Sequence, residues 1–471
     1  MVNNREFSVF SQSSKPHIKF FRLAGNGKTA KLILVIDLGF GQYNEHLNSY
    51  SFSRNVNSLY GEFEIQAKEK STHGQKILDS VKPLDIVYFY ENGKDVAFIG
   101  IVQTVSFGAT AGAFNKSVII SGASIGILFE MLKISTDATS MAFFINDSAN
   151  KKVLDTLADV LQTNVKNGGQ GMSFEQAFTA VYQEFISVLV DEKNSRIAAN
   201  GIYDIIKACF GEPSEFIKVF GSLNFNYQIS KTLFSSDEVN IYSYFKDLLP
   251  EQVYEFYEDV YNNKPVLIAR EKPFDTADWN VLRKSIVKLN PALVTDYTVS
   301  KSDKDVHTCF FAMVEGTSLS NDFYKIISAT EQGSSCFESN LDKIKMYGYR
   351  PLIVNFIGYA NASDGKNEAS YLIQTFQNLS KRLKEWYSRI DEMYSGDVTM
   401  VTDHSSKAVK IGGLVELCRT TFYVTGEKHS WSYGDSPTVN YTLERGGNYT
   451  EKGFSPVKDI SGAFAELLER D

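Results

Sequence analysis

Two Asn-Gly pairs constrain the fold of this chain more than any other feature. Asn26-Gly27 closes the turn Ala24-Gly25-Asn26-Gly27 between β-rich runs at 18–23 and 31–36, and Asn92-Gly93 lies between runs at 86–90 and 96–104. Asn-Gly supplies the positive φ that a tight hairpin turn needs, and its twist matches that of antiparallel strands. Residues 17–121 therefore read as about seven short strands of an antiparallel sheet or barrel. A strand at 117–121 leads into a helix at 125–132 that would close one end.

Between about 136 and 285 the period changes. Residues 151–161, 174–190 and 202–210 carry apolar side chains at helical spacing, with Phe178, Val181, Phe185, Val188 and Leu189 as the clearest case. This middle region is expected to be helix-rich, with aromatic-laden stretches at 242–249 and 252–261 and a strand at 265–270. From about 288 the β pattern returns. Strands at 292–300 and 307–314 are joined by a polar turn at 301–305, and strands at 398–402, 408–417, 422–431 and 438–444 follow. Tyr433-Gly434-Asp435-Ser436-Pro437 makes the last hairpin turn. A helix at 367–394 interrupts this series, with Leu372, Phe376, Leu379, Leu383, Trp386, Ile390 and Met393 as one apolar stripe. The fold class expected is α+β, mainly β: two antiparallel β-barrels flanking a helix-rich middle. The divisions are 1–135, 136–285, 286–450 with the inserted helix 367–394, and a tail at 451–471.

With 471 residues and 43% hydrophobic content, about three domains can each bury a core. The formal net charge of −8 has the wrong sign for a protein that coats nucleic acid. Cys209, Cys309, Cys336 and Cys418 form no close pair and read as reduced thiols. Residues 1–15 lack the apolar run of a secretory signal, so a protein that stays in the cytoplasm is expected. The longest apolar stretch, 118–132, is broken by Ser121, Ser124 and Glu130 and falls short of the ~20 residues that span a bilayer.

Chemistry-bearing motifs are few. Gly122-Ala123-Ser124-Ile125-Gly126 has the G-x-S-x-G form of a nucleophile elbow between a strand and a helix. The strands before it are antiparallel and no oxyanion loop precedes it, so a tight turn of small residues is the plainer reading. Gly27-Lys28-Thr29 resembles the end of a P-loop, yet position 22, where the loop needs glycine, is Arg. Gly168-Gly169-Gln170-Gly171 reads as a loop before a helix capped by Ser173. His307 and Cys309 share a strand face without a second ligand pair. Lys381, Arg382, Lys384 and Arg389 lie opposite the apolar stripe of the long helix and read as a solvated face. No catalytic residue, metal ligand or cofactor is expected.

Four segments together resemble one family. Phe422 through Gly434 and Tyr441-Thr442-Leu443-Glu444-Arg445-Gly446 are similar to the closing hairpin, "V-x-x-x-x-H-S" then "T-L-x-R-G", of the contractile-phage baseplate hub family. Pro83-Leu84-Asp85-Ile86-Val87 and Phe98-Ile99-Gly100-Ile101-Val102 resemble its "GD-x-V … F-x-G-x-V", with Lys82-Pro83-Leu84 where glycine is common. Tyr347-Gly348-Tyr349-Arg350 resembles its "YG-x-R", and Ile411 through Leu417 its "I-x-G-x-V-x-L". The match covers both β-rich ends and leaves 136–285 unassigned.

The resemblance implies a structural hub, related to the hub part of type VI VgrG spikes and to tailocin hubs. Three subunits with two tube-like barrels each would make a pseudo-sixfold ring between a sixfold tail tube and a threefold central spike. The partners it implies are further copies of the chain, the tail tube protein, the spike, baseplate wedge or tape measure proteins, and DNA passing without specific binding. The place it implies is the virion baseplate. With the chain ending at Asp471, any puncturing or wall-cutting activity is expected to belong to a partner. The alternatives are a tail-tip hub of a non-contractile phage, or a serine or cell-wall hydrolase.

Overall fold

The computed structural model describes residues 17–25, 30–39, 47–69, 76–91, 95–109, 116–135, 172–173, 175–176, 178–179, 182–183, 200–220, 224–225, 238–273, 276–315, 337–357, 368–402, 409–450, 453–457 and 460. The fold is α+β and mainly β, and fourteen of the described strands make one large sheet. The first half contributes β1 (His17–Ala24), β2 (Lys31–Leu38), β3 (Leu47–Asn55), β4 (Glu62–Lys68), β5 (Ile86–Glu91), β6 (Asp95–Ala109) and β7 (Lys116–Ser124). The second half contributes β8 (Val287–Lys288), β9 (Val294–Ser300), β10 (Tyr394–Val401), β11 (Leu414–Leu417), β12 (Thr420–Ser432), β13 (Thr438–Thr450) and β14 (Gly453–Ser455). Their order is β9-β10-β13-β12-β3-β4-β7-β6-β5-β1-β2, with β11 beside β12, β8 beside β11 and β14 beside β13.

The two halves are joined by β12 and β3, which pair antiparallel from Gly426↔Asn55 to Ser432↔Ser49. On each side of this seam the same four-strand module recurs. In β3-β4-β7-β6 the first strand pairs the second, and the third and fourth form a hairpin whose fourth strand lies beside the second. The order β9-β10-β13-β12 repeats that path strand for strand, and β5 and β11 flank the third strand of each module. The modules differ in the connection between first and second strand: residues 56–61 in one, residues 301–393 in the other.

Neighbouring cross-strand rows carry opposite chemistry. One row reads Val401, Thr438, Ser430, Ser51, Glu64, Ser121 and Thr104 across seven strands. The next reads Met400, Val439, His429, Phe52, Phe63, Gly122 and Val102. Because successive side chains alternate sides, the sheet has one polar face of short side chains and one apolar face. In the first half the apolar face curls around Phe20, Phe52, Phe63, Phe89 and Phe98, with the Phe52 and Phe98 rings 4.9 Å apart. In the second half it covers Val398, Val415, Phe422, Val424 and Leu443.

Several elements differ from the sequence reading. The aromatic stretch at 252–261 is a strand, Tyr254–Tyr261, which turns through Asn262-Asn263, both at positive φ, into Lys264–Glu271. This central hairpin is buried almost throughout, so it shows no alternation. The strand Cys309–Glu315 does not pair with β9. It lies parallel to Pro351–Ile357 and antiparallel to Phe337–Ser339 in a separate three-stranded sheet. β9 pairs instead with β10, so residues 301–393 form an insertion between two hydrogen-bonded neighbours. The long helix is Glu368–Tyr387 rather than 367–394; Phe376, Leu383 and Trp386 cover the small sheet, whereas Met393 is buried from beyond the helix end. Of the stretch read at 408–417, among the described residues 409–417 only Leu414–Leu417 is strand. The helix at 125–132 begins as the 3₁₀ turn Ile125–Ile127 and continues as Leu128–Met131. The helix read at 202–210 is Asn200–Phe210, and the one read at 151–161 lies outside the described residues.

Leu84, standing where the resembled family often has glycine, has φ +72° and is exposed. A left-handed conformation costs a residue with a Cβ about 1–2 kcal/mol, partly offset by the greater unfolded-state entropy of glycine. Leu84→Gly should stabilise the chain by about 0.5–1 kcal/mol in urea unfolding; a loss would show that the side chain has a packing role.

Candidate functional site

The densest polar chemistry lies where the central hairpin wedges between the two halves of the sheet. Glu255, Glu258 and Asp259 on the hairpin are all at most 3% exposed. Burying three carboxylates is costly unless each finds a cation or donors. Arg54, on seam strand β3, supplies one of these contacts and bridges to a fourth carboxylate: its Nη1 donates to Asp259 Oδ1 at 2.7 Å and its Nε to Glu427 Oε1 on β12 at 2.8 Å. Lys410 reaches the same Asp259 oxygen at 3.2 Å. Burial works against the Glu427 charge, but Arg54 and His429 outweigh it and hold that carboxyl well below the usual range. His429 stacks on Phe52 across the seam, ring centres 4.6 Å apart. On the other hairpin strand, Arg270 donates to Glu255, to the Tyr423 hydroxyl and to the Gly412 carbonyl, and Tyr423 donates to Glu255. A Cβ at Gly412 would stand 1.9 Å from Arg270 Nη2, so a glycine at the x position of the "I-x-G" segment makes room for this contact.

Ser124 has no exposed surface and does not sit on an elbow. Its hydroxyl accepts from Gly61 N–H at 3.1 Å and donates to Glu258 Oε2 at 2.7 Å. The same oxygen accepts from Gly126 N–H at 2.5 Å, an unpaired donor in the first turn of the closing helix. A hairpin carboxyl thus caps a helix of the first unit, and a Cβ at Gly126 would stand 2.7 Å from that oxygen. Gly122 is required by contact as well, because a Cβ there would come within 2.0 Å of the Ile101 carbonyl. The G-x-S-x-G pattern is a receptor for Glu258. Burial is the largest influence on Glu258 and pushes its pKa up to about 8 against the hydrogen bonds that favour the charge.

The remaining sequence candidates fall elsewhere. Lys28 and Thr29 and the glycines at 168–171 lie outside the described residues. Cys309 is buried in the small sheet, and His307, half-buried, has its pKa lowered by burial. Among the described residues no group of three His, Cys, Asp or Glu side chains is placed to hold a metal ion. Cys209, Cys309 and Cys418 are buried free thiols. Two basic side chains of the long helix are engaged, Arg382 with Glu271 of the hairpin and Lys384 with Glu338; Lys381 is exposed, and Arg389, beyond the helix end, pairs with Glu392. Among the described residues no helix is long and apolar enough to cross a membrane.

The resembled motifs hold the fold at its joints. Asp85 takes a bidentate contact from Arg22, both distances 2.7 Å. Tyr347 donates to Asp391 at 2.9 Å, and Gly348 ends its helix at φ +76°. Arg445, at φ +57°, lies 3.8 Å over the Trp386 ring and donates to the Trp386 carbonyl, tying the insertion to β13. Arg54, Glu258, Asp259 and Glu427 escaped the sequence reading. The available signal was three carboxylates within an otherwise aromatic and β-branched run, Tyr254 to Tyr261.

On the polar face a cleft of about 580 Å³ lies over the seam, lined by Ser51, Ser53, Glu62, Glu64, Gln103 and Lys428 among others.

No protein-family model and no curated protein sequence matches the chain. Its structure is similar to solved structures of tail and secretion proteins. The 43 kDa tail protein of prophage MuSo2 from Shewanella oneidensis is 11% identical, with a TM-score of 0.44 over 91% of this chain and 98% of that one. A tail protein from Neisseria meningitidis MC58 is 8% identical, with a TM-score of 0.45 over 91% and 96%. The E. coli c3393 protein, a component of the type VI secretion system with structural similarity to the T4 bacteriophage tail proteins gp27 and gp5, is 8% identical, with a TM-score of 0.37 over 88% and 76%. These are likenesses of chain path.

Two predictions follow from the buried contacts. Arg54→Met, which strands two buried carboxylates, should cost about 3–5 kcal/mol in urea unfolding, and adding Glu427→Gln should recover part of it. Because Glu258 carries a raised pKa when folded, it binds its proton more tightly in the native state. Its contribution is therefore full below the unfolded carboxyl value and is lost as pH rises through about 8. Glu258→Gln should flatten the fall in melting temperature between pH 5 and pH 8; an unchanged slope would mean that Glu258 is ionised throughout.

Proposed function

We propose that the chain is a non-enzymatic baseplate hub of a contractile phage tail or tailocin. Three copies would form a ring that matches a sixfold tail tube to a threefold spike and lines part of the ejection conduit. The observation that carries this reading is the repeated four-strand module. A chain that presents the same module twice, side by side, turns threefold symmetry into quasi-sixfold symmetry.

The seam supports the ring by example. Within the chain, the end of β12 pairs with β3, the first strand of the neighbouring module, over seven residue pairs. Among the described residues, the equivalent end of β6, Gln103 to Ala109, pairs only with β7, because β5 stops opposite Ile101. Among the described residues the equivalent first strand, β9, likewise has a partner on one side only, β10. Seven antiparallel steps separate β9 from β6, so the two edges run in opposite directions and are suited to pair between copies as β12 and β3 pair within one. Eight strands per chain then give 24 in a closed ring of three. The polar face of Ser, Thr, Asn, Gln and Glu side chains, with Lys428 among them, becomes the lumen wall, and its hydroxyls and carboxylates give a passing polyanion few cations to hold. The resembled family supplies the neighbours: tail tube, central spike, and wedge or tape measure proteins, in a virion assembled in the host cytoplasm.

The test is the absolute mass in solution at micromolar concentration, by light scattering, with and without the spike protein. A mass near three times 52.8 kDa in either condition, with rings of quasi-sixfold outline in electron micrographs, is expected. A monomer in both conditions would overturn the hub.

A further inference from the structure

The two modules match residue for residue, and their bulges set the alignment. The first strand of each module carries one extra residue against the second, Asn48 on β3 and Thr295 on β9. The third strand carries one against the fourth, Gln103 on β6 and Thr425 on β12. The two sets of bulges agree. Beside the first bulge Ala67 and Met400 hold the same place, and they pair with Val118 and Val439. Four residues further along those strands, Gly122 and Leu443 pair with Val102 and Val424, each immediately before the second bulge. Bulges are specific features of a sheet, so two that recur at one spacing fix the correspondence. Tyr50, Phe52 and Arg54 on β3 therefore match Tyr297, Val299 and Lys301, and Glu427 and His429 on β12 match Val105 and Phe107.

Matched side chains lie on the same face of the same sheet, yet they are covered to different degrees. His429 is 9% exposed and Phe107 is 44% exposed. Phe52 is 1% exposed and Tyr50 8%, whereas Val299 and Tyr297 are half-buried. The difference follows the seam: β12 and β3 cover each other there, and among the described residues no strand lies beside β9 or the end of β6.

Carried onto these free edges, the seam pairs Glu427↔Arg54 and His429↔Phe52 become Val105 opposite Lys301 and Phe107 opposite Val299 of a second copy. Lys428↔Ser53 and Ser430↔Ser51 become Ser106 opposite Ser300 and Gly108 opposite Thr298. Apolar residues thus meet on one face and small polar ones on the other, a match that a slip by one residue would destroy. The lock is the feature that does not carry over. Arg54 is held between Glu427 and Asp259, but its counterpart Lys301 is exposed, lies 4.5 Å over the Tyr394 ring of its own chain, and has Val105 where Arg54 has a carboxylate. Burying an ion pair between separate chains strips water from both charges at every encounter, a cost that an apolar pair flanked by serines does not carry.

We infer that copies of the chain join in this register, with Phe107 of one against Val299 of the next, through an apolar joint that omits the ion-pair lock of the seam. The inference rests on the hub reading above and adds the residue pairing of the joint and its unlocked character. Within a chain the seam is fixed by Arg54; between chains Phe107 is the anchor, as large side chains at interface centres commonly are.

The experiment uses the full-length chain, with the spike protein present if the wild type needs it to trimerise. Cysteines are placed in register, as Phe107→Cys with Val299→Cys and as Ser106→Cys with Ser300→Cys, and out of register, as Ser106→Cys with Thr298→Cys. Directly opposed Cβ atoms stand about 4.5–5.5 Å apart and can be bridged after slight adjustment, whereas diagonal ones at about 7–8 Å cannot. Light scattering first establishes the mass of each variant. On mild oxidation both in-register variants should link chains at least about tenfold more than the out-of-register variant and the wild type, seen on a non-reducing denaturing gel. Phe107→Asp should weaken trimer formation by about tenfold or more, and Lys301→Met should leave it within about threefold of the wild type. A wild type that stays single with and without the spike overturns the hub reading itself. Trimers that link only out of register or in no variant, a Phe107→Asp chain that trimerises as the wild type does, or a Lys301→Met chain that stays single would each overturn this inference and leave the hub reading standing.

Discussion

Arg54 is the side chain on which the arrangement depends, because it touches all three parts of the molecule at once. It stands on β3, reaches Glu427 across the seam and reaches Asp259 on the central hairpin. A seam of seven backbone-paired residues could slide by two and keep its face chemistry. A buried guanidinium with two fixed carboxylate partners cannot follow such a slide without stranding charge. The network thus serves register more than raw stability, and the polar and apolar rows stay continuous across the seam as a result.

The same hairpin explains why the halves behave as one body. Its outward and inward side chains are both buried: Tyr257 joins the core of the second half, whereas Phe256 and Val260 join a core that includes Ile99, Ile101 and Phe129 of the first. Glu258 then caps the helix after Ser124, so polar and apolar contacts from one strand pair grip both modules. The middle region is a wedge as well as a spacer. The insertion is held less symmetrically, by Arg445 on Trp386 and by Arg382 on Glu271.

Much of this was legible in the sequence where local chemistry decides it. The antiparallel pairing of β5 with β6, the alternating strands of the first half and the final hairpin at 433–437 follow from turn residues and period two. The mainly β class and the resemblance to hub proteins were legible from short segments in order. Strand partners were not. Sequence adjacency suggested that 292–300 pairs with 307–314, but β9 finds its partner beyond an insertion of its own chain. The central hairpin was hidden because burial on both faces erases alternation and Asn262-Asn263 is a weaker turn signal than Asn-Gly. Ser124 shows the complementary limit: a motif fixes spacing, whereas the identity of the group facing the serine, Glu258, lies 134 positions away.

The seam also sets a schedule for the growing polypeptide. Its partners, 49–55 and 426–432, come from opposite ends of the chain, so most of the protein must be synthesised before β3 gains its second neighbour. Pairings of such separation form late, since the loop they close costs entropy that nearer contacts do not. Until then one side of β3 is an open template, with Tyr50 and Phe52 on one face and Ser49, Ser51 and Ser53 on the other. The serine face keeps half of that edge wetted in the meantime, and the burial of Arg54 marks the moment at which the two halves of the sheet close on each other.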